Sequence, residues 1–227
     1  MLGVAALNRD GFKTNYSNFG AALALATTGG DDSDGAWGRA LGSNSLADSG
    51  ILSIGNSGAT VPADCTQAGA NCYYYHYGTS FSAPIVAGAV SLMLSVNPAL
   101  TVSQIEQGLA RSARPHVTSS VAGFNVCSNA NPGRCRCTTT TCGAGILDID
   151  QALLFAASPA TYVAPAALAA QLDTPELRAA VASGPDRPAN PTPPPPPPPA
   201  GGGGGGVMSG AWLLALALAA WAMRRGV

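Results

Sequence analysis

"HYGTSFSAPIVAGAVSLML", residues 76–94, sets a small hydroxyl-rich turn, Gly78-Thr79-Ser80, directly ahead of a long apolar run. From Ile85 to Leu94 the run carries Ile, Val, Ala, Leu and Met with one Ser and one Gly. Being apolar on nearly every side, it predicts a helix buried all round rather than a surface helix. Pro84 fits the first turn of such a helix, where backbone N–H groups have no intrahelical partner, so the helix is expected to start near Ser80 or Ser82. A serine at that end has two uses. Thr79, Ser80 or Ser82 can serve as an N-cap. Alternatively, the outward-pointing N–H groups and the helix dipole would stabilise negative charge developing on a nearby carbonyl oxygen, the setting a nucleophile needs.

The extended pattern favours the second use. Gly78-Thr79-Ser80-Phe81-Ser82-Ala83-Pro84, followed by Val86-Ala87-Gly88, resembles the nucleophile motif of the subtilisin-like serine peptidases (subtilases), Gly-Thr-Ser-x-Ala/Ser-x-Pro and then Val-Ala-Gly. The resemblance implies that Ser80 is the nucleophile and that its own backbone N–H contributes to the oxyanion hole. It extends from Met1 to about Ala157. "GVAALNRDGFKTNYSNFG" (Gly3 to Gly20) reads as a strand and hairpin with Asp10-Gly11 at the turn. Ala21 to Ala26 is short and apolar, as expected of a buried strand, and Gly50 to Gly55 reads as another. Thr101 stands three residues before Gln104, a capping-box spacing, with Ile105 and Leu109 at helical spacing behind it. "CGAGILDIDQALLFA" resembles the family's closing segment, a Gly-rich turn, a short strand and a final helix.

Subtilases carry their triad in the chain order Asp, His, Ser. The resemblance places the Asp and His motifs, and the Asn that completes the oxyanion hole, upstream of the region matched by Met1 to Gly20. The sequence therefore reads as the carboxyl-terminal part of a catalytic domain, inactive alone, whose expected partners are the missing amino-terminal half and a polypeptide substrate. Neither histidine fills the gap. His76, in "YYYHYG", reads as a half-buried strand residue with its ring hydrogen-bonded, and His116, after "RSARP", as a solvated loop residue. A general base must reach the serine hydroxyl and be oriented by a third group.

Hydrophobic residues make up 47% of the 227 and charged residues 10%, with a formal net charge of -1, so no basic patch marks a nucleic-acid partner. The six cysteines fall in two groups, Cys65 and Cys72, then Cys127, Cys135, Cys137 and Cys142. An even count in Gly/Asn/Thr-rich loops reads as disulfides in an oxidising compartment, with the local pairs Cys65–Cys72, Cys127–Cys135 and Cys137–Cys142 as one arrangement. The rival, zinc held by the second group, lacks a paired C-x-x-C set and a histidine. "DDSDG" (Asp31 to Gly35) carries half the ligands of a calcium loop and reads as a solvated acidic loop. No metal or cofactor is implied.

Beyond residue 157 the composition changes. Residues 158–183 are Ala-rich and predict one or two weak helices. Residues 184–206 are a Pro/Gly-rich linker with seven consecutive prolines, Pro193 to Pro199, and six glycines, Gly201 to Gly206. The proline run favours an extended polyproline spacer, or a ligand for a partner's aromatic groove. Residues 207–223 are 17 uncharged residues closed by Arg224 and Arg225. At 1.5 Å per residue they span roughly 25 Å, the short end for a transmembrane helix, and the basic tail 224–227 predicts a cytoplasmic carboxyl terminus. Glycine run, apolar span and basic end together resemble the GlyGly-CTERM type of sorting signal of Gram-negative bacteria. That resemblance implies a membrane partner, a rhomboid-type sorting protease, and anchoring or release at the cell surface.

These observations predict an α/β fold: the carboxyl-terminal part of a subtilisin-like parallel-sheet domain around a buried nucleophile helix, plus one carboxyl-terminal transmembrane helix. The function implied is serine endopeptidase chemistry through Ser80. The alternatives are a catalytically dead subtilase-like surface-binding module and a different serine hydrolase. An α/β-hydrolase elbow, however, needs Gly two residues after the serine, where this chain has Ser82.

Overall fold

The structure, a computed structural model, describes residues 1–31, 50–56, 61–62, 64, 66 and 72–183. The expectations for 32–35, 184–206, 207–223 and 224–227 lie outside the described residues.

Two strands, β1 (Gly3–Leu7) and β2 (Leu23–Thr28), pair in parallel. The second strand lies two residues further along than the apolar run at Ala21 to Ala26 suggested, because it ends on Thr27 and Thr28 against Ala6 and Leu7. Ile146 extends the pairing beside Ala26 in parallel, and Arg114 beside Ile146 in antiparallel sense. Between β1 and β2 the chain turns at Asp10-Gly11 as expected. Gly11 takes φ +87°, which a side chain rarely adopts. The returning run forms isolated bridges at Lys13, to Leu7 on one side and Cys135 on the other, rather than a strand.

Four helices are present among the described residues: α1 (Thr79–Val96), α2 (Val102–Ser112), α3 (Ile149–Ala157) and α4 (Pro175–Ala182). Side chains alternate across a strand, and β2 shows it. Leu25 joins Val86, Ala89 and Met93 of α1, Ile105 and Leu109 of α2, and Phe155 of α3 in one buried cluster. Its neighbour Ala26 faces the opposite way, onto Ala5, Leu7 and the cysteines 127, 135, 137 and 142. The sheet is thus held between helices on one face and cystines on the other. The pairs Cys127–Cys135 and Cys137–Cys142 are formed. Cys72 is also disulfide-bonded, while Cys65 lies outside the described residues. The sulfurs of Cys127, Cys137 and Cys142 lie within 4.8 Å of one another, but disulfide bonding leaves none as a thiolate for zinc.

The capping box forms as predicted: Thr101 accepts from the Gln104 N–H, and Gln104 Oε1 from the Thr101 N–H at 2.9 Å. Such a cap contributes about 1 kcal/mol. The Ala-rich stretch contributes α4, whose Leu177 and Ala180 are fully buried with Phe12, Val121 and Phe124.

Three expectations are corrected. Helix α1 is not buried all round: only Ser82, Val86, Ala89 and Met93 are buried, and Leu92, Leu94 and Val96 are exposed, because within the described residues the sheet and α3 pack one side alone. Among the described residues α1 is also the one helix long and apolar enough to cross a membrane, a test that the core helix of a domain passes equally. The strand expected at Gly50 to Gly55 is β3 (Ile51–Ile54), but it pairs antiparallel with β4 (Tyr73–His76) outside the parallel sheet. Its Leu52 and Ile54 are exposed opposite Tyr75 and Tyr73, so it is not a doubly buried strand. Asp31 is not a solvated loop residue. Its carboxylate, fully buried, takes two hydrogen bonds of 2.9 Å from the Arg134 guanidinium, joining the end of β2 to the cystine-rich loop.

Candidate active site

Ser80 is the second residue of α1, which starts at Thr79, slightly ahead of the predicted start. Neither Thr79, Ser80 nor Ser82 caps the helix. The N-cap is Gly78, at φ 148° and ψ 155°, and no side chain accepts from the first turn. Pro84 consequently falls at the sixth helical residue rather than in the first turn, and the Ser80 carbonyl lacks the i+4 amide N–H it would otherwise accept. Ser80 is exposed, at the uncapped and partly positive end of the helix.

The turn carrying Ser80 is fastened to the carboxyl end of β2. The Gly78 N–H donates to the Gly29 carbonyl at 2.9 Å, and the buried Ser82 hydroxyl donates to the Thr28 carbonyl at 3.1 Å. From the other side, the Tyr16 hydroxyl lies 2.9 Å from the Gly29 carbonyl and 2.5 Å from that of Gly30. A Cβ on Gly29 would stand 2.7 Å from Ser82 Oγ and 2.8 Å from Tyr16 Oη, so the close approach requires glycine. Ser82 stood in the sequence as a motif residue and N-cap candidate rather than as a tether to β2, and nothing there pointed to Tyr16. Only the Gly29-Gly30 pair at the end of an apolar run offered a local signal.

His76 ends β4, is half-buried as expected, and has its ring stacked on Phe81 at a centroid distance of 5.4 Å; among the described residues the ring makes no hydrogen bond. His116 is buried at 6% exposure, not solvated, and its Nε2 lies 3.0 Å from the Gly143 carbonyl. Gly143, at φ +78°, packs against the backbone of β2, and it draws the His116 ring into the interior. Burial lowers the imidazole pKa, and the bond to Gly143 offsets part of that. Among the described residues no side chain hydrogen-bonds Ser80.

The structure thus sets an exposed serine on a helix whose first turn is tied to the carboxyl end of a parallel strand of an α/β fold. The chain belongs to the subtilase family, whose profile matches residues 1–141. It is 34% identical over 154 residues to the extracellular protease of Xanthomonas campestris pv. campestris, covering 67% of this chain and 19% of that protein. It is 28% identical over 172 residues to the Aeromonas extracellular serine protease of Aeromonas sobria, covering 68% of this chain and 27% of that one. A solved structure of proteases from Pseudoalteromonas arctica is 30% identical with a TM-score of 0.48, covering 69% of this chain and 36% of its own. The chain therefore spans less than a third of the length of the two curated relatives.

Proposed function

We propose that this chain is the nucleophile-bearing part of an exported serine endopeptidase. Ser80 Oγ attacks a peptide carbonyl, the Oγ–C bond forms, and the hydroxyl proton passes to a histidine. The first-turn N–H of Ser80 receives the developing oxyanion. The histidine then protonates the departing amine, and water hydrolyses the acyl-enzyme by the same route in reverse. That histidine and its orienting aspartate come from sequence outside this chain. The observation that carries the reading is the Gly78–Ser80 turn, uncapped and tied to Gly29 and Thr28, which presents the serine on a rigid element. The relatives named extracellular, together with the disulfides, support export. We extend the proposal to the tail: residues 207–223 hold a precursor in the membrane, and a rhomboid-type protease acts near Gly201 to Gly206.

The lack of any hydrogen bond to the Ser80 side chain among the described residues favours a second reading, a catalytically dead subtilase-like module that binds at a surface. A fluorophosphonate probe separates the two. Protein that includes the Asp and His motifs should be labelled, and Ser80→Ala should abolish labelling. The isolated 227-residue chain should label weakly or not at all. Absence of labelling in the longer protein would leave the binding module.

A further inference from the structure

Gly78, two residues ahead of Ser80, stands at φ 148° and ψ 155°, a conformation that essentially only glycine adopts. Such a backbone persists only where its surroundings hold it. Two bonds fasten the turn to the end of β2. Behind Ser80, the Ser82 hydroxyl donates to the Thr28 carbonyl at 3.1 Å. Ahead of Ser80, the Gly78 N–H donates to the Gly29 carbonyl at 2.9 Å. The first anchor is the firmer, because Thr28 belongs to the strand. Gly29 and Gly30 lie past its end, and Gly30 has φ +71°. Two glycines in succession are the least constrained backbone, so the second anchor needs a brace.

Tyr16 supplies one. Its hydroxyl lies 2.9 Å from the Gly29 carbonyl oxygen and 2.5 Å from that of Gly30, so its one proton is shared between the two glycines. Its ring lies against that of Tyr77, with centroids 5.6 Å apart and planes inclined at 37°. Tyr77 is the residue before Gly78. Tyr16 thus touches both sides of the Gly29–Gly78 bond, the acceptor through its hydroxyl and the neighbour of the donor through its ring.

We propose that Tyr16 is a positioning residue for Ser80. Its hydroxyl holds the Gly29 carbonyl where the Gly78 N–H needs it, and its ring backs Tyr77, so that the turn presents the serine hydroxyl in one orientation. Tyr16 acts through Gly29 and Gly78 rather than on the reacting atoms. The effect on rate rests on the peptidase reading of Ser80, whereas the effect on the turn does not.

The test uses Tyr16→Phe, which keeps the ring and removes the donor. In the 15N-labelled 227-residue chain, NMR should show the Gly78 amide exchanging with solvent about fivefold faster or more, with the amides of Leu25 and Ala89 unchanged. In protein that includes the Asp and His motifs, the saturating rate of fluorophosphonate inactivation should fall about tenfold or more. The probe concentration giving half that rate should stay within about twofold, since misplacing the nucleophile slows the chemical step without weakening binding. Ser119→Ala, which removes a 2.8 Å bond to Asp173 away from the turn, should leave the inactivation rate unchanged. Unchanged Gly78 exchange in Tyr16→Phe would overturn the brace. Unchanged inactivation, or equal slowing by Ser119→Ala, would overturn the positioning role. If the parent protein is never labelled, the peptidase reading fails, and Gly78 exchange alone decides whether Tyr16 holds the turn.

Discussion

Burial pushes the His116 imidazole below its ordinary pKa of 6.5, and this couples the fold to pH. As pH falls below 6.5 the unfolded chain takes up a proton that the folded chain resists, so stability declines until pH passes the lowered folded-state value. His116→Gln offers an N–H to the Gly143 carbonyl but does not ionise. Urea midpoints at about pH 7.5 and about pH 5 should therefore differ less in the variant than in the parent. Asp173 titrates in a separate window. Hydrogen bonds from Ser120, Gln171 and Ser119 hold its carboxyl below 3.8, so its contribution is present above 3.8 and is lost only as pH falls further. An unchanged pH dependence in His116→Gln would mean that the ring does not carry the effect. At this scale the sequence was informative where chemistry is local. Ser80 stood out because its motif is contiguous. His116 and Tyr16 did not, since their partners are 27 and 13 residues away.

Packing between elements sets competing terms at Gly108, in α2. Alanine there would gain about 0.5–1 kcal/mol of helix propensity. Its Cβ, however, would stand 2.5 Å from Cδ1 of Phe155 in α3 and 2.8 Å from Cε of Met93 in α1. The methionine end can yield, while the ring is held between Arg111 and Tyr162. Overpacking costs about 1–3 kcal/mol, so Gly108→Ala should lower the urea midpoint despite its better propensity. A raised midpoint would show that α3 shifts freely. The same contrast explains which elements were legible. Thr101 and Gln104 announce α2 within four residues, and Asp10-Gly11 announces its turn. The pairing of β3 with β4 depends on partners 19 to 25 positions along the chain. The one-sided burial of α1 depends on what its neighbours leave uncovered, which hydropathy along the chain does not encode.

At the scale of the molecule, that uncovered face of α1 is the sharpest test of the proposed role. Leu92 is 47% exposed, in a helix only 22% of whose apolar window is buried. Val96, about 40° round the helix from it, is 47% exposed and extends the same apolar area. If a segment outside this sequence supplies the histidine and aspartate, it should also cover this face. Leu92→Glu would then behave differently in two contexts. In the 227-residue chain a charge at an exposed site should leave the urea midpoint within about 0.5 kcal/mol and reduce self-association by sedimentation. In protein that includes the Asp and His motifs, the same change would bury an unpaired carboxylate and lose a packed side chain, costing about 2–5 kcal/mol and most of the fluorophosphonate labelling. Equal effects in both contexts would mean that the face is not covered in the longer protein, and the source of the missing triad residues would have to be sought in an arrangement that leaves α1 open.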